Sequence, residues 1–180
     1  MKRLKLLPLL VFFIISLSSC NGISRTELLN HASDEDVANE KLTKIIDYIE
    51  NKDEEGLKSM FSKRALDESE DFSENAELLF EYVDGDIISW EKDSGPTVFS
   101  SNDYGKVVKE VDAYYYVETN KETYFFMLND FPEDDSNTEN EGMNMLLVVR
   151  KDYSQYIYEE GILYKDGDRI SPPGIYLPIQ

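Results

Sequence analysis

The chain holds 180 residues, with 37 acidic against 18 basic side chains and a net charge of −19. So acidic a surface repels phosphate backbones and anionic headgroups, which argues against nucleic acid as a partner. A single cysteine, Cys20, and a single histidine, His31, exclude a disulfide framework and a zinc site built from several such ligands.

Met1-Lys2-Arg3-Leu4-Lys5 carries three positive charges, and Leu6 to Leu17 is apolar except for Ser16. That order is the n-region and h-region of a secretory signal. The apolar run is well short of the roughly twenty residues of a bilayer-spanning helix. Leu17-Ser18-Ser19-Cys20 is similar to the lipobox of bacterial lipoproteins. The resemblance implies a signal peptide over 1–19, cleavage before Cys20, and a lipid on the Cys20 thiol. The chain would then sit on the outer face of the cytoplasmic membrane, where two acyl chains hold firmly and one is marginal. The competing reading is a secreted protein cut at a different point. Losing Lys2, Arg3 and Lys5 takes the net charge from −19 to −22.

Residues 20–33 read as the lipidated cysteine and a polar tether, and 34–180 as one domain long enough for a sizeable core. Ser33-Asp34-Glu35-Asp36 resembles a helix start, and Ala38, Leu42, Ile45, Ile46 and Ile49 follow at helical spacing. Asn51-Lys52-Asp53 breaks this helix, and Asp53 caps a second that places Leu57, Met60 and Phe61 on one side. Ser73 is the expected cap of a third, with Ala76, Leu79, Phe80 and Val83 on one face and Gly85 beyond its end.

From Asp86 the period becomes two. Ile87, Ile88 and Trp90 lie in a short strand, and Ser94-Gly95-Pro96 reads as a turn. Val107 to Thr119 alternates, with Val111, Ala113, Tyr115 and Val117 on one face and Glu110, Asp112, Tyr114 and Tyr116 on the other. Tyr124 to Phe131 is the expected antiparallel partner, and Met143 to Arg150, apolar through its middle, reads as a central strand. Lys165-Asp166-Gly167-Asp168 is a turn. Helices before a meander of strands predict an α+β fold, with N-terminal helices packed on a curved antiparallel sheet. The layout is similar to the cone-shaped fold of nuclear transport factor two and ketosteroid isomerase. That fold hosts enzymes, binding modules and docking domains alike.

The lipobox, Leu57-Lys58-Ser59-Met60-Phe61-Ser62, Ser89-Trp90-Glu91 with Gly95-Pro96, and Pro173-Gly174-Ile175-Tyr176 together resemble a lipoprotein family of Gram-positive bacteria known only as a domain of unknown function. The resemblance implies a surface lipoprotein and supplies no catalytic residues.

His31 falls in the tether, which cannot fix an imidazole for a Ser-His-Asp triad. Asp135, Asn137, Glu139 and Glu141 alternate as calcium ligands do. However, Asn140 stands where an EF-hand needs glycine and Leu146 where it needs glutamate, so a solvated loop is expected. No metal or cofactor is assigned. In a cone-shaped fold, Trp90, Asp112, Tyr114, Tyr116, Tyr124 and Phe126 are the candidate pocket residues. Asp112 or Glu110 beside Tyr114 or Tyr116 has the residue types of an isomerase site, a carboxylate base and a phenol donor. Alternating acids and tyrosines equally describe a solvent-facing sheet. The expected function is a non-enzymatic, lipid-anchored binding domain for a protein, glycan or apolar small molecule. The alternatives are an isomerase- or dehydratase-type enzyme and an envelope protein that forms a homodimer through its sheet.

Overall fold

The computed structural model describes residues 25–157, 164–166 and 168–177. The expected signal peptide, Cys20 and residues 21–24 lie outside the described residues. Residues 31–180 form one compact unit, and of the other unit, residues 1–30, the described part is helical backbone from Arg25.

Helix α1 (Arg25–Asn51) begins well ahead of the expected start at Ser33. Ser33 and Asp34 carry a cap signal, but the residues before them include the good helix formers Glu27, Leu28, Leu29 and Ala32, which extend the helix through it. Residues 25–33, expected within the tether, are helical. The expected stripe holds: Ala38, Leu42, Ile45, Ile46 and Ile49 are all buried. The helix ends in a Schellman arrangement with Lys52 at φ 51°. The Asp53 N–H donates to the Tyr48 carbonyl at 2.9 Å and the Lys52 N–H to that of Ile49 at 3.2 Å.

Asp53 then caps α2 (Glu54–Lys58), its carboxylate accepting the Gly56 N–H at 2.9 Å. A short helix, α3 (Lys63–Glu68), has no counterpart in the sequence reading. Ser62 caps it by accepting the Ala65 N–H at 3.0 Å. Helix α4 (Phe72–Tyr82) starts at Asp71, φ 52°, so Ser73 lies inside its first turn and is not its cap. Phe72, Ala76, Leu79 and Val83 are buried along one side.

The sheet follows the order β1 (Ile87–Asp103), β2 (Lys106–Thr119), β3 (Thr123–Asp134), β4 (Gly142–Arg150) and β7 (Gly174–Tyr176). The first four form an antiparallel meander, and β7 joins β4 in parallel. Two further short strands, β5 (Tyr164–Lys165) and β6 (Asp168–Arg169), pair antiparallel on either side of the expected turn, whose Gly167 lies outside the described residues. Helices on one side and an open, curved, mostly antiparallel sheet on the other make the α+β arrangement.

Ser94-Gly95-Pro96 does not turn the chain. Strand β1 runs straight through it, and the register against β2 shifts between Lys92 and Ser94 and between Ser94 and Thr97. Proline is tolerated there because β1 lies at the sheet edge, where an N–H can be spared. The reversal comes later, at Tyr104 (φ 50°) and Gly105 (φ 86°). Two successive positive-φ residues are what a two-residue hairpin turn of this hand requires.

Both faces of the sheet centre are covered. Ala113, Tyr115, Val117, Tyr124, Phe126, Leu128, Leu146 and Val148 pack against α1 and α4 in the main core. Phe125, Met127, Met145, Leu147 and Val149 form a second cluster on the opposite face with Ile157, and Tyr114, Tyr116 and Tyr176 lie partly buried against it. Burial on both sides is why β4 is apolar without a break from Met145 to Val149. Gly142 opens β4 at φ 119°, where a Cβ would stand 2.9 Å from the Ser62 nitrogen. That gap lets Phe61 form a parallel bridge with Met143, the Ser62 N–H donating to the Met143 carbonyl at 2.9 Å.

Candidate functional site

The residues nominated from the sequence divide between the two faces. Tyr124 and Phe126 point into the helix-side core, 1% and 0% exposed. The Tyr124 hydroxyl donates to the Tyr82 carbonyl at 2.9 Å and accepts the Asp84 N–H at 3.0 Å, tying the end of α4 to β3. Trp90 belongs to the same side, its ring edge-on to Tyr115 at 5.6 Å. The Tyr115 hydroxyl donates to Asn39 on α1 at 3.1 Å, and burial, then the nearby Glu35 charge, pushes its phenol up to about 12.

Asp112, Tyr114 and Tyr116 sit on the opposite face. The Tyr114 ring stacks on Phe125 at 6.3 Å, and Tyr116 meets the same ring edge-on at 5.6 Å. The Lys151 ammonium lies 4.3 Å from the Tyr116 ring centroid. Asp112 is fully buried and accepts one hydrogen of the Asn129 amide at 2.8 Å, while Glu110 accepts from the same nitrogen at 2.6 Å. A bulge in β4 turns Asn144 onto this group, so that its amide donates to the Asn129 oxygen at 3.1 Å. The carboxylates and phenols expected to cooperate thus share a face. They are separated, however, from Trp90, Tyr124 and Phe126 by the thickness of the sheet.

The cleft between α1 and the sheet is where a cone-shaped fold would hold a ligand. A cavity there has a volume of about 50 Å³ and apolar walls from Val37, Ala38, Val111, Ala113, Leu128 and Pro132. Pockets for drug-sized ligands run to roughly 300–1,000 Å³, so this one accepts only a very small group. Asp34, Lys41 and Asp130 also line it. Three ion pairs, Asp34 with Lys109, Glu35 with Lys92 and Lys41 with Asp130, hold α1 to the sheet around this cleft. The carboxylates of Asp34 and Asp130 are nearly buried, and the two lysines that face them about a fifth exposed. Sequence reasoning missed these pairs because their partners are remote in the chain.

The acidic loop closes on itself. Asp134 is buried and accepts the N–H groups of Ser136 and Asn137, each at 2.9 Å, and the Asn140 amide at 2.7 Å. The Asn140 hydrogen bond, with those two N–H donors, holds the Asp134 carboxyl below the usual carboxylate range. Among the described residues, no three His, Cys, Asp or Glu side chains converge as a metal-ligating group.

Among the described residues, the most exposed of the long strands is β1. Beyond Thr97 it pairs with β2 to the end of the hairpin, here called the β1–β2 arm, and almost every residue along it is exposed. Phe99 is 53% exposed, Ile88 63%, and Tyr104 at the tip is wholly exposed. A shallow groove beside the arm is lined by Phe99, Val108, Glu110 and Phe131. A signal for this surface was present in the sequence, since Thr97, Val98 and Phe99 are strong strand formers directly after the supposed turn. No curated protein matches the chain. A family model described as a domain of unknown function, DUF5104, matches residues 44–151, more than half of the 180 residues, and the chain belongs to that family.

Proposed function

We propose that this chain is a lipid-anchored, extracytoplasmic binding domain that engages a partner protein through the β1–β2 arm. The observation that carries the reading is the arm itself: a long edge strand with exposed Phe99 and Tyr104, while the aromatic residues of the sheet centre are consumed in packing. Exposed apolar surface next to an unpaired sheet edge is a recurrent protein-recognition arrangement. The anchor rests on the charged start, the short apolar run and Leu17-Ser18-Ser19-Cys20. The likeness in layout to the nuclear-transport-factor-two fold agrees with a docking role but does not select it. A catalytic reading is weaker on geometry, because Asp112 faces a packed amide network and the α1 cleft admits only a very small group.

The test uses the full chain in its host cell. Detergent phase partition of the wild type and of Cys20→Ala reads the anchor, and a photoreactive residue in place of Tyr104 reads the partner. Partition into detergent that depends on Cys20, with one discrete cross-linked adduct, is expected. A chain that stays aqueous with Cys20 intact, or an arm that yields no adduct, refutes the reading.

A further inference from the structure

We infer that the segment Thr97–Asp103 of β1 accepts an extended, cationic segment of the partner protein as an added strand. The inference rests on the binding-domain reading above and names the chemistry of its partner. An exposed sheet edge is a template for pairing, and proteins that must not pair protect it with bulges, proline and lysine. Strand β1 has those devices, but only in its first half. The register shifts fall between Ile87 and Thr97, and Lys92 and Pro96 lie in the same stretch. From Thr97↔Asp112 to Asp103↔Lys106 seven successive pairs run without a shift, and the segment contains neither proline nor lysine. The guarded half of the strand lies beside α1, where Lys92 is engaged with Glu35. The unguarded half is the arm, an exposed sheet edge whose β2 partner is backed by β3.

An added strand would set alternate side chains on the face of Phe99, Val108 and Phe131, which suits apolar residues. Acids surround that end. Asp103, Glu110, Glu133 and Asp135 stand against Lys106 and Lys109, and Lys109 is already paired with Asp34. A strand alternating apolar residues with lysine or arginine therefore complements both the groove and the charge. A second copy of this chain is a poor occupant, because each copy would bring its own large negative charge to the same edge.

The test presents the full chain, in detergent micelles, with an end-capped peptide alternating lysine and valine. Control peptides replace the lysines by glutamate or interrupt the strand with prolines. Binding is read by titration calorimetry at low and high salt, and its site by hydrogen exchange. Saturable, salt-weakened binding of the lysine peptide alone, with slowed exchange confined to residues 97–103, is expected. Phe99→Lys, a change at an exposed position that leaves the core alone, should weaken it at least tenfold. Equal binding of the glutamate or proline peptide, or a Phe99→Lys variant that binds as well as wild type, overturns the inference. Protection of 97–103 in a dimer without peptide overturns the choice of occupant. A lysine peptide that does not bind, while the Tyr104 cross-link forms in cells, overturns this inference and leaves the binding-domain reading standing. Failure of both sinks the two together.

Discussion

Replacing Tyr124 by phenylalanine removes one oxygen and decides whether this residue is a ligand contact or a structural tie. The ring is 1% exposed, and its hydroxyl serves the Tyr82 carbonyl at 2.9 Å and the Asp84 N–H at 3.0 Å. A hydrogen bond contributes about 0.5–1.5 kcal/mol net, and a buried group left without a partner costs about 1–3 kcal/mol. Water can reach the half-buried Asp84 N–H in the variant, so one of the two groups carries most of the penalty. The phenylalanine ring keeps the edge contact with Tyr82, whose centroid lies 5.6 Å away, so no large cavity opens. The expected loss is about 1.5–3 kcal/mol. In a domain of this size each kcal/mol moves Tm by about 2–4 °C, which places the drop at about 3–12 °C. Urea unfolding of the full chain, followed through the fluorescence of its single tryptophan, Trp90, measures it. A Tyr124→Phe chain within 0.5 kcal/mol of wild type, below the range expected for a lost buried hydrogen bond, would refute the assignment. So would a variant of unchanged stability that loses the Tyr104 cross-link.

Lys109→Met leaves the Asp34 carboxylate nearly buried without its cation, and the expected cost is about 1–3 kcal/mol, below that of a fully buried pair because Lys109 is partly exposed. Adding Asp34→Leu should recover most of that loss in the same urea assay, and a double variant no better than the single one contradicts the clamp. Asp134 titrates lower in the folded chain, so its contribution to stability is complete above the unfolded carboxylate value near 3.9 and disappears as pH falls through the folded value below it. Asp134→Asn should lower stability at neutral pH and flatten this acid limb; parallel acid limbs in the two chains exclude the linkage. Gly142→Ala meets the Ser62 backbone at positive φ, and a loss of at least about 1 kcal/mol is expected, with refutation if the alanine is neutral.

Much of the fold is legible because it rests on short-range periodicity. The stripe Ala38, Leu42, Ile45, Ile46, Ile49 marks the buried side of α1, and the alternation along β2 marks which residues share a face. What escapes is set by tertiary context. Helix α3 is too short for a periodic signal, and its cap, Ser62, reads as any serine until β4 binds its N–H. Ser94-Gly95-Pro96 has turn composition, yet an edge strand can absorb it as an irregularity in register. The Asp34–Lys109 and Lys41–Asp130 pairs join residues far apart in sequence, which no local pattern reports.

The division of the expected pocket follows from the hairpin itself. Glu118 pairs with Thr123 and Val117 with Tyr124, so from Asp112 to Glu118 each even position of β2 lies opposite an odd position of β3. Paired residues in an antiparallel ladder project to the same side. Tyr114 and Tyr116 must then share a face with Met127 and Phe125, while Tyr124 and Phe126 go with Val117 and Tyr115. Trp90 pairs with Val117 and joins the second set. Given the loop Asn120-Lys121-Glu122, a cavity lined by Tyr114, Tyr116, Tyr124 and Phe126 together was geometrically closed off before any packing took place. The aromatic residues are divided between two apolar faces that both need cover, and the exposed edge of β1 lies outside both clusters.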